Sequence, residues 1–137
     1  MKKAISLALC CFLMLGFFVT VASAEAPSKA VTPRLNNVGV VKTLFEIVDG
    51  VAVIKLSYSG YEGVTTYATI TTTLQKRSFL FFWNDVEEWI NGTHSVNWSK
   101  EHTYPVSSGT YRVKVKYEIE GTGGATDVIE EELTDSY

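Results

Sequence analysis

At 137 residues, 46% hydrophobic and 20% charged, the chain is long enough to bury one core and too apolar for a disordered protein. Its formal charge of −3 repels phosphate backbones and argues against nucleic acid as a partner.

The N-terminus reads as an export signal. Met1-Lys2-Lys3 is a basic head, Ala4 to Val21 is apolar, and Ala22-Ser23-Ala24 is a small-x-small cleavage site, so residues 1–24 are expected to leave as a signal peptide. The apolar run would also serve as a retained anchor, since about 20 residues cross a bilayer; the small-residue site favours cleavage. Cys10 and Cys11 lack a lipoprotein context because Leu9 is not small. Both depart with the signal, leaving 113 of the 137 residues with no cysteine and a fold that rests on its core alone.

The 12 basic residues less Lys2 and Lys3 leave 10 against 15 acidic ones, a net charge of −5 for the processed chain. That balance also disfavours anionic membrane surfaces, so a membrane is not the expected partner after cleavage. The expected address is secreted, extracellular or associated with the cell envelope. Residues 25–37, "EAPSKAVTPRLNN", contain two prolines and no periodicity and read as an extended linker before a domain at residues 38–137.

From Val38 onward apolar and polar residues alternate. Asp49-Gly50 is a two-residue type I′ turn signal between runs rich in Val and Ile. Such a turn pairs Val48 with Val51, Ile47 with Ala52 and Phe45 with Ile54. Phe45, Ile47, Ala52, Ile54 and Leu56 then share an apolar face, with Glu46 and Lys55 on the other. "TTYATITTTLQK" is a Thr-rich strand with Ala68, Ile70, Thr72 and Leu74 inward. Thr69, Thr71 and Thr73 form an outward hydroxyl ladder, as suits a β-branched residue on an exposed strand.

The next strand runs from about Phe81 to Ile90, with Asn91-Gly92 as the turn that ends it. Spacing within the strand places Trp83 and Trp89 on one face, suited to a core. "HSVNWSKEHTYPV" is extended, with Val96 and Trp98 pointing together. In "SGTYRVKVKYEIEG", Tyr111, Val113, Val115, Tyr117 and Ile119 face one way. Arg112, Lys114, Lys116, Glu118 and Glu120 face the other. The last strand, about Asp127 to Leu133, sets Glu130 and Glu132 against that basic row and turns Glu131 toward the core side.

Seven strands without helical periodicity predict an all-β, seven-stranded immunoglobulin-like antiparallel sandwich. Tyr111, after Gly109 and two residues before the inward Val113, matches a tyrosine corner. On Leu74-Gln75-Lys76, Trp83 with Trp89, and Gly109-Thr110-Tyr111-Arg112-Val113, the chain resembles small secreted proteins of Gram-positive, clostridia-type bacteria. More distantly it is similar to fibronectin-type and immunoglobulin-like sandwiches. The resemblance spans roughly Leu44 to Glu132 and implies a fold and an address, not a chemistry.

Catalytic constellations are sparse. Nucleophilic catalysis needs a Ser or Cys beside a base, and only His94 and His102 offer imidazoles, in contexts that read as solvated loop or edge positions. Asp85, Glu87 and Glu88 lie along one strand rather than across a cleft. Glu130, Glu131 and Glu132 with Asp127 and Asp135 read as a strand facing Lys114 and Lys116, with loose Ca²⁺ binding as the lesser alternative. Asn91-Gly92-Thr93 and Asn97-Trp98-Ser99 fit the glycosylation sequon, which a bacterial source would leave unused. The expectation is a non-enzyme without cofactor or metal.

What remains is recognition by aromatics. "KRSFLFFWNDVEEW" places Phe79, Leu80, Phe81, Phe82 and Trp83 in succession where a hairpin needs a polar turn, and adjacent strand side chains cannot all face inward. With Trp89, these residues form the candidate binding set for a protein or a surface glycan. Tyr58, Tyr61 and Tyr67 are a second aromatic group near another loop. A cell-wall- or glycan-binding module and a membrane-active, toxin-like protein are the alternatives the same residues allow.

Overall fold

The structure is a computed structural model and describes residues 35–137. The expected signal peptide and linker residues 25–34 lie outside the described residues. Seven strands follow in chain order: β1 (Val38–Val48), β2 (Val51–Gly60), β3 (Thr65–Arg77), β4 (Trp83–Thr93), β5 (Asn97–Pro105), β6 (Thr110–Gly121) and β7 (Asp127–Ser136). They form two antiparallel sheets, three-stranded β1-β2-β5 and four-stranded β4-β3-β6-β7. The all-β sandwich expected from the alternation is the observed fold.

Alternation decides which face each strand buries. Ala52, Ile54, Leu56 and Tyr58 from β2 meet Ala68, Ile70, Thr72 and Leu74 from β3 and the inward row of β6 in one core. The β1–β2 hairpin has the register that the turn dictates: Val48 opposite Val51, Ile47 opposite Ala52, Phe45 opposite Ile54. Asp49 and Gly50 both adopt positive φ, 50° and 77°, as a type I′ turn requires. Tyr111 is buried, and its hydroxyl donates to the Ser107 carbonyl at 3.0 Å, the bond of a tyrosine corner.

The two edge strands β1 and β7 are joined by carboxylates rather than by a ladder. Asp127 accepts from the backbone N–H groups of Asn36, Asn37 and Val38, at 2.6–3.1 Å, and Asp135 accepts from Ile47 N–H at 2.7 Å. Asn37 is fully buried and donates to the carbonyls of Ile119 and Ala125. Asn36 and Asn37, expected at the end of the linker, are thus bound into the fold. The carboxylates of Asp127 and Asp135, given loose Ca²⁺ binding as their lesser alternative, are occupied by backbone donors. Among the described residues no group of three or more His, Cys, Asp or Glu could hold a metal.

The fourth strand differs most from its expectation. It begins at Trp83, not Phe81, and continues through Asn91-Gly92 to Thr93. Asn91-Gly92 is therefore a paired segment of strand, opposite Ile70 and Thr69, and not a turn. Gly92 is demanded by a close approach: the Tyr67 phenol lies where a β-carbon would stand.

Candidate functional site

The β3–β4 hairpin ends in a five-residue loop, Ser78 to Phe82, between the paired residues Arg77 and Trp83. Ser78 N–H donates to the Phe82 carbonyl and Phe82 N–H to the Phe79 carbonyl, both at 2.9 Å. Arg77 folds back, its Nε–H donating to the Leu80 carbonyl at 2.6 Å, and Ser78 Oγ reaches the Phe82 carbonyl at 3.2 Å. The loop backbone is thus held mostly by its own groups.

Its side chains are not held. Phe79, Leu80, Phe81 and Phe82 are 68%, 57%, 81% and 68% exposed, a degree that removes them from any core. Burying a Phe or Leu side chain is worth about 1.5–3 kcal/mol, so four of them in water forgo a large stabilisation. Leu80 also adopts a left-handed backbone, φ 48°, which costs a side chain other than Gly, Asn or Asp about 1–2 kcal/mol. Neither packing nor backbone preference accounts for a leucine at that position.

The two tryptophans of the candidate set separate. A bulge between Leu74 and Gln75 leaves Val86 unpaired, so that Trp89 lies opposite Thr72 on the inner face and Trp83 opposite Arg77 on the outer face. The expectation of a shared face assumed an unbroken period of two and is corrected here. Trp89 packs against the core and stacks on His102, ring centroids 4.7 Å apart at 14°. Trp83 stays half-exposed at the root of the tip, with the Arg112 guanidinium 4.4 Å from its ring centroid. Arg112 also pairs with Glu132 at 3.1 Å and bonds Gln75. Phe79, Leu80, Phe81 and Phe82 are thus exposed on the loop with Trp83 at its root, and Trp89 packs toward the core instead.

His102, expected in solvent, is buried between the sheets. Burial, with Lys100 nearby, holds its pKa below the ordinary histidine value, and its Nε2 lies 3.1 Å from Asn91 Nδ2. Its neighbours are Trp89 and Asn91 rather than a nucleophile. His94 is exposed, its Nδ1 3.0 Å from the Thr66 carbonyl and its ring tilted on Tyr67. Tyr58 is buried and stacks on Trp98, while Tyr61 is exposed, so the second aromatic group is not a continuous surface.

The outer face of the four-stranded sheet carries the Thr ladder and the charged rows. Glu132 and Glu130 stand opposite Lys114 and Lys116 as expected, but the close ion pairs are Arg112–Glu132 and Lys116–Glu118, at 3.1 and 2.8 Å. On the inner side Glu131 Oε2 and Thr72 Oγ1 are buried without a hydrogen-bond partner. Compared with protein-family models, curated proteins and solved structures, the chain matches none.

Proposed function

We propose that this protein is an exported, non-catalytic interaction module built on an immunoglobulin-like sandwich, and that it docks through the β3–β4 tip. The carrying observation is the run of four consecutive apolar side chains, each more than half exposed, on a loop whose backbone conformation disfavours one of them. The immunoglobulin-like assignment is supported by the corner bond of Tyr111 and by the placing of β4 beside β3, the position of C′ in variable-type domains.

Glycan stacking on the tryptophans is the weaker reading. One face of Trp83 is covered by Arg112, and Trp89 faces the core, so neither offers the free ring that a sugar needs. Retention of the protein on intact cells tests the proposal. Phe79→Ser/Phe81→Ser/Phe82→Ser is expected to fold as wild type and to leave the cell fraction for the supernatant; equal retention of the two proteins counts against the tip.

A further inference from the structure

We infer that the occupant of the tip is a lipid bilayer: Phe79 to Phe82 dip into its interfacial layer while Arg77, Lys76 and Trp83 sit at headgroup level. The inference rests on the tip being the docking element. Four features of the loop favour lipid over a protein groove.

The first is chemistry. Protein hot spots draw on Trp, Tyr and Arg, which combine apolar area with a hydrogen-bonding handle. Phe-Leu-Phe-Phe has area and no handle, which suits a phase that offers no polar partners. The second is the backbone. Polar main-chain groups are costly in an apolar layer unless satisfied; the carbonyls of Phe79, Leu80 and Phe82 have donors within the hairpin, whereas the N–H groups of Phe79, Leu80 and Phe81 are left for the water and headgroup oxygens of the interfacial layer.

The third is the collar. Arg77 and Lys76, the last residues of β3, stand directly behind the apolar tip at a level where phosphate oxygens would lie. Arg77 is exposed, while Lys76 is half-buried, its Nζ donating to Ser107 Oγ at 2.6 Å and lying 5.3 Å from the Tyr111 ring centroid. Trp83 completes the collar with a side chain that, like Tyr, is enriched at the membrane–water boundary. The fourth is direction. Asn36 and Asn37 are bound beside Asp127 and Gly123, at the end of β6 and the start of β7. The tip lies at the other end, since Lys76 pairs with Tyr111 at the start of β6. The apolar loop therefore leads from the end of the sandwich opposite Asn36 and Asn37.

The acidic body sets the lipid. With −5 for the processed chain, a strongly anionic surface opposes approach, so insertion is expected into zwitterionic phosphatidylcholine and weakens as anionic lipid is added.

The test places a reporter in the tip of the full chain, because the apolar residues 4–21 can themselves bind vesicles. Phe81→Trp is mixed with phosphatidylcholine vesicles whose acyl chains carry bromine, a contact quencher of indole. The expected result is quenching of the added tryptophan well beyond that of wild type. Adding Phe79→Ser and Phe82→Ser is expected to lower the vesicle partition of the tip by roughly tenfold for each ring lost. Co-sedimentation without excess quenching means that only the N-terminal segment binds, and it overturns the inference. If cell retention still depends on the tip while the tip is unquenched, the docking proposal stands and its occupant is a protein or glycan.

Discussion

Two hairpin turns at the same end of the sandwich solve the same geometric problem in opposite ways. Both place a residue in the left-handed region, Asp49 at φ 50° and Leu80 at φ 48°. In the β1–β2 turn the residue is an aspartate followed by glycine, which suits that conformation. In the β3–β4 turn it is a leucine flanked by phenylalanines, all exposed. The first turn is chosen for folding. In the second, the leucine's backbone conformation and the exposure of the rings both work against folding, which is the contrast the docking proposal rests on.

The comparison breaks most strongly at Gly50. Gly50→Val forces a β-branched residue to φ 77° and presses its side chain toward the Tyr137 ring, so chemical denaturation should show a loss of about 2 kcal/mol. Leu80→Gly should do the reverse. Relief of the left-handed strain outweighs the added chain entropy, giving a stabilisation of about 0.5–1 kcal/mol together with weaker docking. A stability gain that accompanies a functional loss is the signature of a residue retained against the fold.

A similar conflict exists on the inner side of β3. Thr72 is fully buried with no partner for its hydroxyl, so Thr72→Val, nearly equal in shape, should raise stability by about 1 kcal/mol in the same assay.

The smallest effect concerns the buried imidazole of β5. His102 stacks on Trp89, and burial holds its folded-state pKa below the ordinary histidine value of 6.5. Above pH 6.5 the imidazole is neutral in both states and stability does not depend on it. As pH falls through 6.5 the unfolded chain takes up the proton first, so stability declines until the folded-state value is passed. Denaturation midpoints between pH 5 and 7.5, about the histidine range, should slope for wild type and lie nearly flat for His102→Phe.

How much of this was legible beforehand varies with the locality of the signal. Strand faces and the β1–β2 register follow from alternation and one dipeptide, and the inward rows of β3 and β6 emerged as expected. The position of Trp83 did not, because a one-residue bulge at Val86 inverts the faces of β4 between Trp83 and Asp85 relative to those after it, and leaves no mark in the sequence. Asn91-Gly92 misled for a related reason: an Asn-Gly pair signals a turn locally, whereas here Tyr67 on the neighbouring strand requires the glycine. Asp127 was legible only as charge. Its role as acceptor for three consecutive amides depends on a contact about 90 residues away in sequence. The tip stood out in the sequence because strand geometry could not bury it, and its exposure is what the fold retains.

The central claim is that Phe79, Phe81 and Phe82 contribute nothing to folding. Equilibrium denaturation of Phe79→Ser/Phe81→Ser/Phe82→Ser against wild type tests it most directly. The account predicts stabilities equal within about 0.5 kcal/mol, as for exposed surface changes. A loss of several kcal/mol would mean that the rings are packed in solution, and would contradict it.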